Sequence, residues 1–335
     1  MKIAFISNLV EPTGGDRILY HHVTGLRNRG HKIDAYFSGW IESYKDNMEG
    51  WNSFDAGEII EYKPNKLNKH DFTKYDVIVG NGLHGASMVL QINHPNKVWF
   101  CQNFDPYVFG PSREIDDIYR GFDKYLMYCH DLKKIIEHYY GKKRVTFCNN
   151  GLEYKKFKPF QKQGLRNSKR VCFMVAYYRV YKGIQFANEI FGELRDRGYT
   201  TVEINATTGP LNNTMEFYHN PSFDNKSKLV YGCDVSIHPS IFETWGLVPM
   251  ESMALGTPVI GVDSRGIMEY ANPKNSIIVK ERNVGLVCDA IQKLCSDRKG
   301  YCAYQRNGID TAIKHDWKRV MPEIEGSYLS LIENA

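Results

Sequence analysis

Short, fully apolar runs recur along the chain, and each is followed by a polar loop and a helical segment. KIAFISNLV opens the series, and KIDAYFS (32–38), YDVIVGN (75–81) and KVWFCQN (97–103) continue it. A run without polar alternation is typical of a parallel strand that is covered on both faces. The rhythm therefore predicts an α/β protein with doubly wound sheets, in which helices flank parallel strands.

This rhythm is interrupted once and then restarts. Residues 155–169, KKFKPFQKQGLRNSK, are polar, basic and poor in periodicity, which predicts an interdomain linker. Strand patterns resume with RVCFMVAYY, and 335 residues suffice for two domains that each bury a core. We predict two Rossmann-like domains facing each other across a cleft, at residues 1–160 and 161–314.

The segment Ile241–Val262, IFETWGLVPMESMALGTPVIGV, carries the strongest local signals. Pro249 is tolerated only in the first turn of a helix, so a helix should begin near Gly246 or Leu247. Gly256, followed by Thr-Pro, should end it, and PVIGV is the next buried strand.

Two carboxylates flank the predicted start of that helix. The free N–H groups of Gly246, Leu247 and Val248 would form an anion site. Glu251, about one turn further in, is placed to accept two hydrogen bonds from a vicinal diol, and Glu243 lies on the preceding loop. A phosphate site beside a diol acceptor predicts a nucleotide, and the second carboxylate predicts that a polyhydroxylated group is attached to it.

Two cations follow the first strand of the second half. Arg179 and Lys182, in YYRVYKG, lie where ligands of doubly wound sheets bind, outside the carboxyl ends of strands. They are suited to neutralising a leaving diphosphate, although a solvent-facing pair is the alternative. The chain holds no D-x-D spacing for a divalent ion, so the sequence predicts that these side chains supply the positive charge.

Polar groups also follow strands of the first half. Gly14-Gly15 comes after the first strand, where glycines allow close approach of backbone to a ligand or simply form a turn. The spacing differs from the G-x-G-x-x-G of dinucleotide enzymes, which argues against a dehydrogenase. Gln102, Asn103 and Asp105 follow the strand KVWFCQ, and either touch a sugar or cap a turn.

The composition of the chain indicates where the protein is located in the cell and which partners it contacts. Eight cysteines without a C-x-x-C pair, most of them in apolar runs, predict reduced core thiols. The chain starts with a strand pattern rather than a signal peptide, and no apolar run is long enough to span a bilayer, so we expect a cytoplasmic protein. Thirteen Lys or Arg between residues 124 and 170 predict either a solvated basic surface or contact with the inner face of a membrane or another anionic partner.

These residues resemble a known family along nearly the whole chain. Glu243, seven intervening residues and Glu251 resemble the donor signature of the family 4 retaining glycosyltransferases, which have the GT-B fold. NLVEPTGGDR is similar to the family's first glycine loop and YYRVYKG to its Arg/Lys phosphate motif. WKRVMPEIEGSY resembles the helix that crosses back to the first domain, here residues 315–335.

The resemblance implies a role for each matching position. Glu251 would accept the ribose hydroxyls, Glu243 would contact hydroxyls of the donor sugar, and Arg179 and Lys182 would stabilise the departing diphosphate. The catalytic residues implied are Arg179, Lys182 and Glu243. The donor-binding residues implied are Gly15, Gln102, Thr244, Trp245, Gly246, Leu247 and Glu251.

The resemblance also implies the reaction. It is the transfer of a hexose-type sugar, with retention, from a UDP- or GDP-type sugar to a glycan, lipid-linked or protein acceptor, with no cofactor and no metal. Two alternatives stay open at this point. One is a nucleotide-sugar 2-epimerase, which shares the fold, and the other is a nucleic-acid-associated protein or DNA-base glycosyltransferase, suggested by the basic stretch.

Overall fold

The computed structural model contains two compact α/β units, described for residues 1–8, 14–38, 59–61, 67, 69–161, 164–175, 179–205 and 209–333. The first unit comprises Met1–Gly151 and Trp317–Ala335, and the second comprises Leu152–Asp316. The predicted domain boundaries lie at residues 160 and 314, whereas the chain passes between the units after residues 151 and 316. Residues 9–13 of the predicted glycine loop lie outside the described ranges.

The first unit is built on a seven-stranded parallel sheet in the order β3-β2-β1-β4-β5-β6-β7. Its strands are β1 (Lys2–Asn8), β2 (Lys32–Ser38), β3 (Ile59–Glu61), β4 (Val77–Asn81), β5 (Lys97–Phe100), β6 (Lys124–Met127) and β7 (Arg144–Phe147). Its helices are α1 (Gly14–Arg27), α2 (Gly82–Leu90), α3 (Asp105–Phe109), α4 (Arg113–Gly121) and α5 (His130–Tyr140). The fully apolar strands are buried on both faces, as the uninterrupted runs in the sequence predict.

The second unit repeats this plan with a six-stranded parallel sheet in the order β10-β9-β8-β11-β12-β13. The strands are β8 (Arg170–Val175), β9 (Thr200–Asn205), β10 (Glu216–His219), β11 (Val235–His238), β12 (Val259–Val262) and β13 (Ser276–Val279). The helices are α6 (Tyr154–Phe157), α7 (Ile184–Asp196), α8 (Phe223–Gly232), α9 (Leu247–Ala254), α10 (Val284–Ser296) and α11 (Arg298–Lys314). In the described part of this unit, 3₁₀ turns lie at Lys158–Phe160, Val180–Lys182 and Gly266–Glu269.

Both sheets change direction at their first strand, which is the Rossmann arrangement. Chain progression runs outward from β1 through β2 to β3, and then restarts on the other side at β4; in the second sheet the reversal lies between β8 and β11. Loops that leave the two strands beside such a reversal diverge and open a crevice at the carboxyl edge. The architecture therefore places one crevice on each unit, and the predicted fold class is confirmed.

The last helix, α12 (Trp317–Glu333), belongs to the first unit. It packs on α1 and β7, and Tyr328 inside it places its hydroxyl 2.9 Å from Nδ1 of the buried His22. The Asn96 amide also donates to the carbonyl of Leu331 at 3.2 Å. Buried polar contacts of this kind fix the register of the helix on the unit.

Two sequence predictions about local structure are wrong. Residues 155–169 do not begin as a free linker, because they open with α6 and a 3₁₀ turn, and Phe157 is buried against Phe223 with ring centroids 5.0 Å apart. For residues 209–224 the sequence predicts only a turn, but these residues contain the edge strand β10. The prediction of thiols in the core agrees with the structure, in which the eight cysteines, all described, form no disulfide and six are buried.

Candidate active site

The second unit gathers the predicted phosphate and sugar residues at the carboxyl edge of its sheet. The chain that leaves β8 carries Arg179 and Lys182, and the chain that leaves β11 carries Glu243 before it enters α9. The two loops touch, since the amide of Ile241 donates to the carbonyl of Tyr181 at 2.7 Å. The reversal of strand order thus brings residues 61 positions apart into one site.

Lys182 and Glu243 form a double contact at this edge. The Lys182 Nζ lies 2.8 Å from Oε1 and 2.9 Å from Oε2 of Glu243. The Ser240 hydroxyl donates to the same Oε1 at 2.8 Å. The side chains keep 22% and 14% of their surface exposed, so the pair is shielded from water without being sealed from a ligand.

The environment holds both groups in their charged forms. Burial by itself would raise the pKa of the Glu243 carboxyl, but the charge of Lys182 and the hydrogen bonds from Lys182 and Ser240 together bring it below the ordinary value. Burial would likewise lower the pKa of Lys182, and the attraction of Glu243 raises it instead. The site therefore contains an ammonium and a carboxylate that are both ionised at neutral pH.

A second loop fixes the position of Glu243. The Glu243 amide donates to the carbonyl of Ser264 at 2.8 Å, and its own carbonyl accepts from Gly266 at 2.9 Å. A Cβ on Gly266 would lie 2.1 Å from the carbonyl carbon of Thr244, so this approach requires glycine. Arg265 beside it adopts a φ of 69°, a costly conformation for a residue with a Cβ.

His238 supports the same loop from the end of β11. Its Nε2 lies 3.0 Å from the hydroxyl of Ser264. Burial lowers the pKa of the imidazole to about 4, so the ring is neutral near pH 7 and adds no charge beside Glu243. His238 thus links the strand end to the loop that holds Glu243.

Helix α9 begins where the sequence predicts. Gly246 is the residue before its first turn and has a φ of 85°, which glycine adopts without a steric penalty. Pro249 lies within the first turn, and Gly256, with a φ of 73°, follows the helix end. The buried Tyr270 hydroxyl donates to the carbonyl of Gly246 at 2.6 Å and so anchors the helix start.

Glu251 lies one turn into α9 and is nearly buried, with 5% of its surface exposed. The ammonium of Lys226, from α8, lies 2.8 Å from its Oε2. A buried carboxylate is tolerated only with such a partner. Lys226 was not predicted from the sequence, because the contact depends on how α8 packs beside α9.

The remaining predicted residues of this unit have different environments. Trp245 is buried, and its ring packs against Tyr270 and His315 at centroid distances of 4.9 and 5.4 Å, so only its backbone is available to a ligand. Thr244 is also buried. Arg179 is exposed, and within the described part of the chain its guanidinium forms no ion pair.

Gly15 and Gln102 are brought together in the first unit. The Gln102 amide donates to the carbonyl of Gly15 at 3.1 Å and to Oδ1 of Asn81 at 2.6 Å, and it accepts from the Tyr128 hydroxyl at 3.2 Å. Asn81 is the last residue of β4, Gln102 and Tyr128 follow β5 and β6, and Gly15 lies in the first turn of α1, so the buried amide links several elements at this edge of the sheet. Gln102 therefore shapes the carboxyl edge of the first sheet.

Asp105 lies just beyond that network. Burial raises the pKa of its carboxyl to about 7, even though the Tyr119 hydroxyl donates to it at 2.9 Å. A carboxyl that titrates near neutrality is an unusual group at the start of a helix, here α3, and is suited to proton transfer. The sequence singled out this position only as part of a polar cluster.

The chain matches known proteins at the level of sequence and of fold. Residues 155–311 match the family model described as glycosyl transferases group 1. An uncharacterized glycosyltransferase of Methanocaldococcus jannaschii is 25% identical over 186 residues, 51% of this chain and 47% of that protein. A D-inositol 3-phosphate glycosyltransferase of Stackebrandtia nassauensis is 28% identical over 102 residues, 30% of this chain and 23% of that protein. The matched stretches thus cover less than half of either relative.

Solved structures match over the full length. Anabaena HepE, in complex with UDP-glucose, superposes with a TM-score of 0.79 at 16% identity, covering 98% of this chain and 100% of that chain. WaaG, a glycosyltransferase involved in lipopolysaccharide biosynthesis, gives a TM-score of 0.70 at 15% identity, with 98% and 99% covered. The two Rossmann-like units thus share the GT-B fold of these solved structures, and residues 155–311 of the second unit are similar to the group 1 glycosyl transferases.

Proposed function

We propose that the protein transfers a hexose-type sugar from a UDP- or GDP-type sugar to a hydroxyl acceptor, with retention at the anomeric carbon and without a metal. The observation that carries the proposal is the pair of carboxylate–ammonium contacts beside the start of α9: Lys182 with Glu243, and Lys226 with Glu251. HepE, solved with UDP-glucose, supports a uridine donor by analogy of fold.

The diphosphate of the donor binds beside the amino end of α9. Helix amino ends attract anions through their unpaired N–H groups and their partial positive charge. Lys182, whose charge Glu243 offsets until the donor arrives, and the exposed Arg179 add two cationic side chains from the loop after β8. Together they stabilise the charge that builds up on the diphosphate as the sugar departs.

The two glutamates accept hydrogen bonds from hydroxyl groups of the donor. Glu251, held in the protein by Lys226, accepts from the ribose hydroxyls, and Glu243 accepts from the sugar. Both oxygens of Glu243 are engaged by Lys182, and one of them also by Ser240. A carboxylate restrained in this way is suited to orienting a sugar rather than to attacking its anomeric carbon. This favours front-side attack by the acceptor, in which the leaving phosphate takes the acceptor's proton.

The acceptor belongs to the glycan, lipid-linked or protein class, and the family resemblance assigns its binding to the first unit. We also propose peripheral membrane contact through the basic residues of 124–170. These residues are distributed over both units, from β6 to the start of β8. Within the described residues, no helix combines the length and apolar character needed to cross a membrane.

The test is a donor-turnover assay on the full chain. UDP- and GDP-hexoses are incubated with and without an acceptor library and with a chelator, and release of the nucleotide diphosphate is measured. We expect turnover to vanish in Glu251→Ala and to fall about 100-fold or more in Lys182→Ala, the scale for losing one electrostatic contact to the transition state. Glu281→Ala and Lys280→Ala, on the exposed chain after β13, are matched controls.

The outcomes separate the alternatives. Wild-type turnover in both site variants would refute the residue assignment. An isomerised sugar formed from the donor alone would favour a 2-epimerase over a transferase. Loss of activity with chelator would contradict the metal-free proposal, and an inverted anomer in the product, seen by proton NMR, would contradict retention.

A further inference from the structure

The first two strands of the first sheet both begin with lysine. Lys2 and Lys32 are direct partners in the parallel register of β1 and β2. Paired strands lie about 4.8 Å apart, so the two side chains leave the sheet next to each other on the same face. Both are exposed, and among the described residues neither ammonium has an ion pair or hydrogen bond. Like charges in such positions repel, and a bound anion would relieve that repulsion.

These lysines border a depression of about 520 Å³ at the amino edge of the sheet. Arg27, from the end of α1, also lines it. The Arg27 Nε donates to the carbonyl of Ile33 at 2.9 Å, and its Nη2 bonds the same oxygen. Its Nη1 is buried and has no hydrogen-bond partner in the described part of the chain. An unpaired buried donor is costly unless a ligand completes it.

The depression has a surplus of positive charge. Its carboxylate, Asp34, accepts from the Tyr75 hydroxyl and lies 3.8 Å from the Nζ of Lys74. Lys74 therefore offsets the charge of Asp34, and His31, at the rim, is engaged by Glu325 at 2.6 Å. Asp34 also attracts the Arg27 guanidinium, so among the described lining residues the four cations Lys2, Arg27, Lys32 and Lys74 outnumber this carboxylate.

We infer that this depression binds a phosphate group of a small phosphorylated compound or of a lipid headgroup. Two adjacent ammonium groups and a guanidinium N–H are the donors that phosphate oxygens take. A volume of 520 Å³ lies in the range of small-ligand sites and exceeds what a bare phosphate fills. The depression lies at the amino ends of β1 and β2, opposite the carboxyl edge that carries Gly15 and Gln102, so this site is independent of the proposed donor site.

The test titrates the full chain with inorganic phosphate by calorimetry, with sodium chloride adjusted to hold ionic strength constant. We expect saturable binding, and a Kd raised about tenfold in Lys2→Gln/Lys32→Gln, the scale for losing two exposed charge contacts. Lys280→Gln/Lys299→Gln removes the same charge from exposed positions of the second unit and should leave the Kd unchanged. An equal rise in both double variants would overturn the inference, because it would show a net-charge effect alone.

A second arm distinguishes the source of the phosphate. Vesicles of phosphatidylcholine with phosphatidic acid are compared with phosphatidylcholine alone in a flotation assay. Retention that the Lys2→Gln/Lys32→Gln variant loses, and that inorganic phosphate competes away, assigns the site to a lipid headgroup. Phosphate binding without retention assigns it to a free phosphorylated compound, and the absence of both overturns the inference.

Discussion

Replacing Lys226 by methionine should separate the stability of the second unit from its recognition of the donor. Methionine keeps most of the apolar stem and removes the ammonium that lies 2.8 Å from Glu251. Breaking a buried ion pair from one side costs roughly 3–5 kcal/mol, because the other charge is left without a partner. The Glu251 side chain is 6% exposed but that of Lys226 is 24% exposed, so water partly replaces the ammonium. We therefore expect a loss of about 2 kcal/mol.

The measurement is the unfolding free energy from urea titration, followed by a probe of the second unit such as Trp245 fluorescence. Lys228→Met, on the same helix but exposed, is the matched control and should change stability by less than about 0.5 kcal/mol. Donor affinity, measured by calorimetry, should fall about tenfold in Lys226→Met because the ribose acceptor is no longer held in place.

A double variant tests whether the loss of stability comes from the unpaired charge of Glu251. Adding Glu251→Gln to Lys226→Met removes the orphaned charge, so stability should recover by roughly 1 kcal/mol while donor binding stays weak. If Lys226→Met alone is as stable as Lys228→Met, the ion pair does not stabilise the helix. Unchanged donor affinity would show that Glu251 does not depend on Lys226 for its role.

Three further predictions rest on other features. Gly183→Ala should lower the unfolding free energy in urea by about 3 kcal/mol or more, because φ is 69° and the new Cβ would lie 2.0 Å from the carbonyl oxygen of Pro239. Gly198→Ala is the control: φ is 77° but the new Cβ would enter open space, so the loss should be only about 1–2 kcal/mol. Burial lowers the pKa of His22 to about 3, so on acidification the unfolded chain takes up the proton before the folded chain does. The unfolding free energy should therefore fall by about 2 kcal/mol between pH 7 and pH 5. This dependence on pH should flatten in His22→Phe, and an equally steep dependence in that variant would contradict the prediction. A UDP- or GDP-sugar at a hundredfold its Kd should stabilise the protein by about 2.7 kcal/mol in thermal unfolding, and no shift with any nucleotide sugar would contradict the donor proposal.

Much of the fold follows from local signals in the sequence. The uninterrupted apolar runs predict the central parallel strands, because those strands are buried on both faces. The start of α9 is predictable because Pro249 and Gly256 act within one or two turns of their own positions. The edge strand β10 lacks such a signal, since Glu216–His219 are only partly buried and pair with one neighbour.

The candidate site is less predictable, because its contacts join distant parts of the chain. The residue types of Glu243, Glu251 and Lys182 indicate chemistry, but the sequence does not show that Lys182 and Glu243 bond each other directly. The contact of Lys226 with Glu251 depends on the packing of two helices. The basic composition after residue 155 predicts a linker, but the ring of Phe157 is buried and holds this stretch on the second unit.

The bond between Lys182 and Glu243 has a consequence for selectivity. Without a ligand, the two charges cancel, so this part of the edge offers an arriving molecule little net attraction. Under the proposed function, a ligand gains the ammonium only by competing with a carboxylate that is already in place. A diphosphate that also contacts the helix end and Arg179 can displace Glu243 from the Lys182 ammonium, whereas a neutral sugar or a single weak anion cannot. The protein's own carboxylate thus sets a threshold of charge that a molecule must exceed to be bound as a donor.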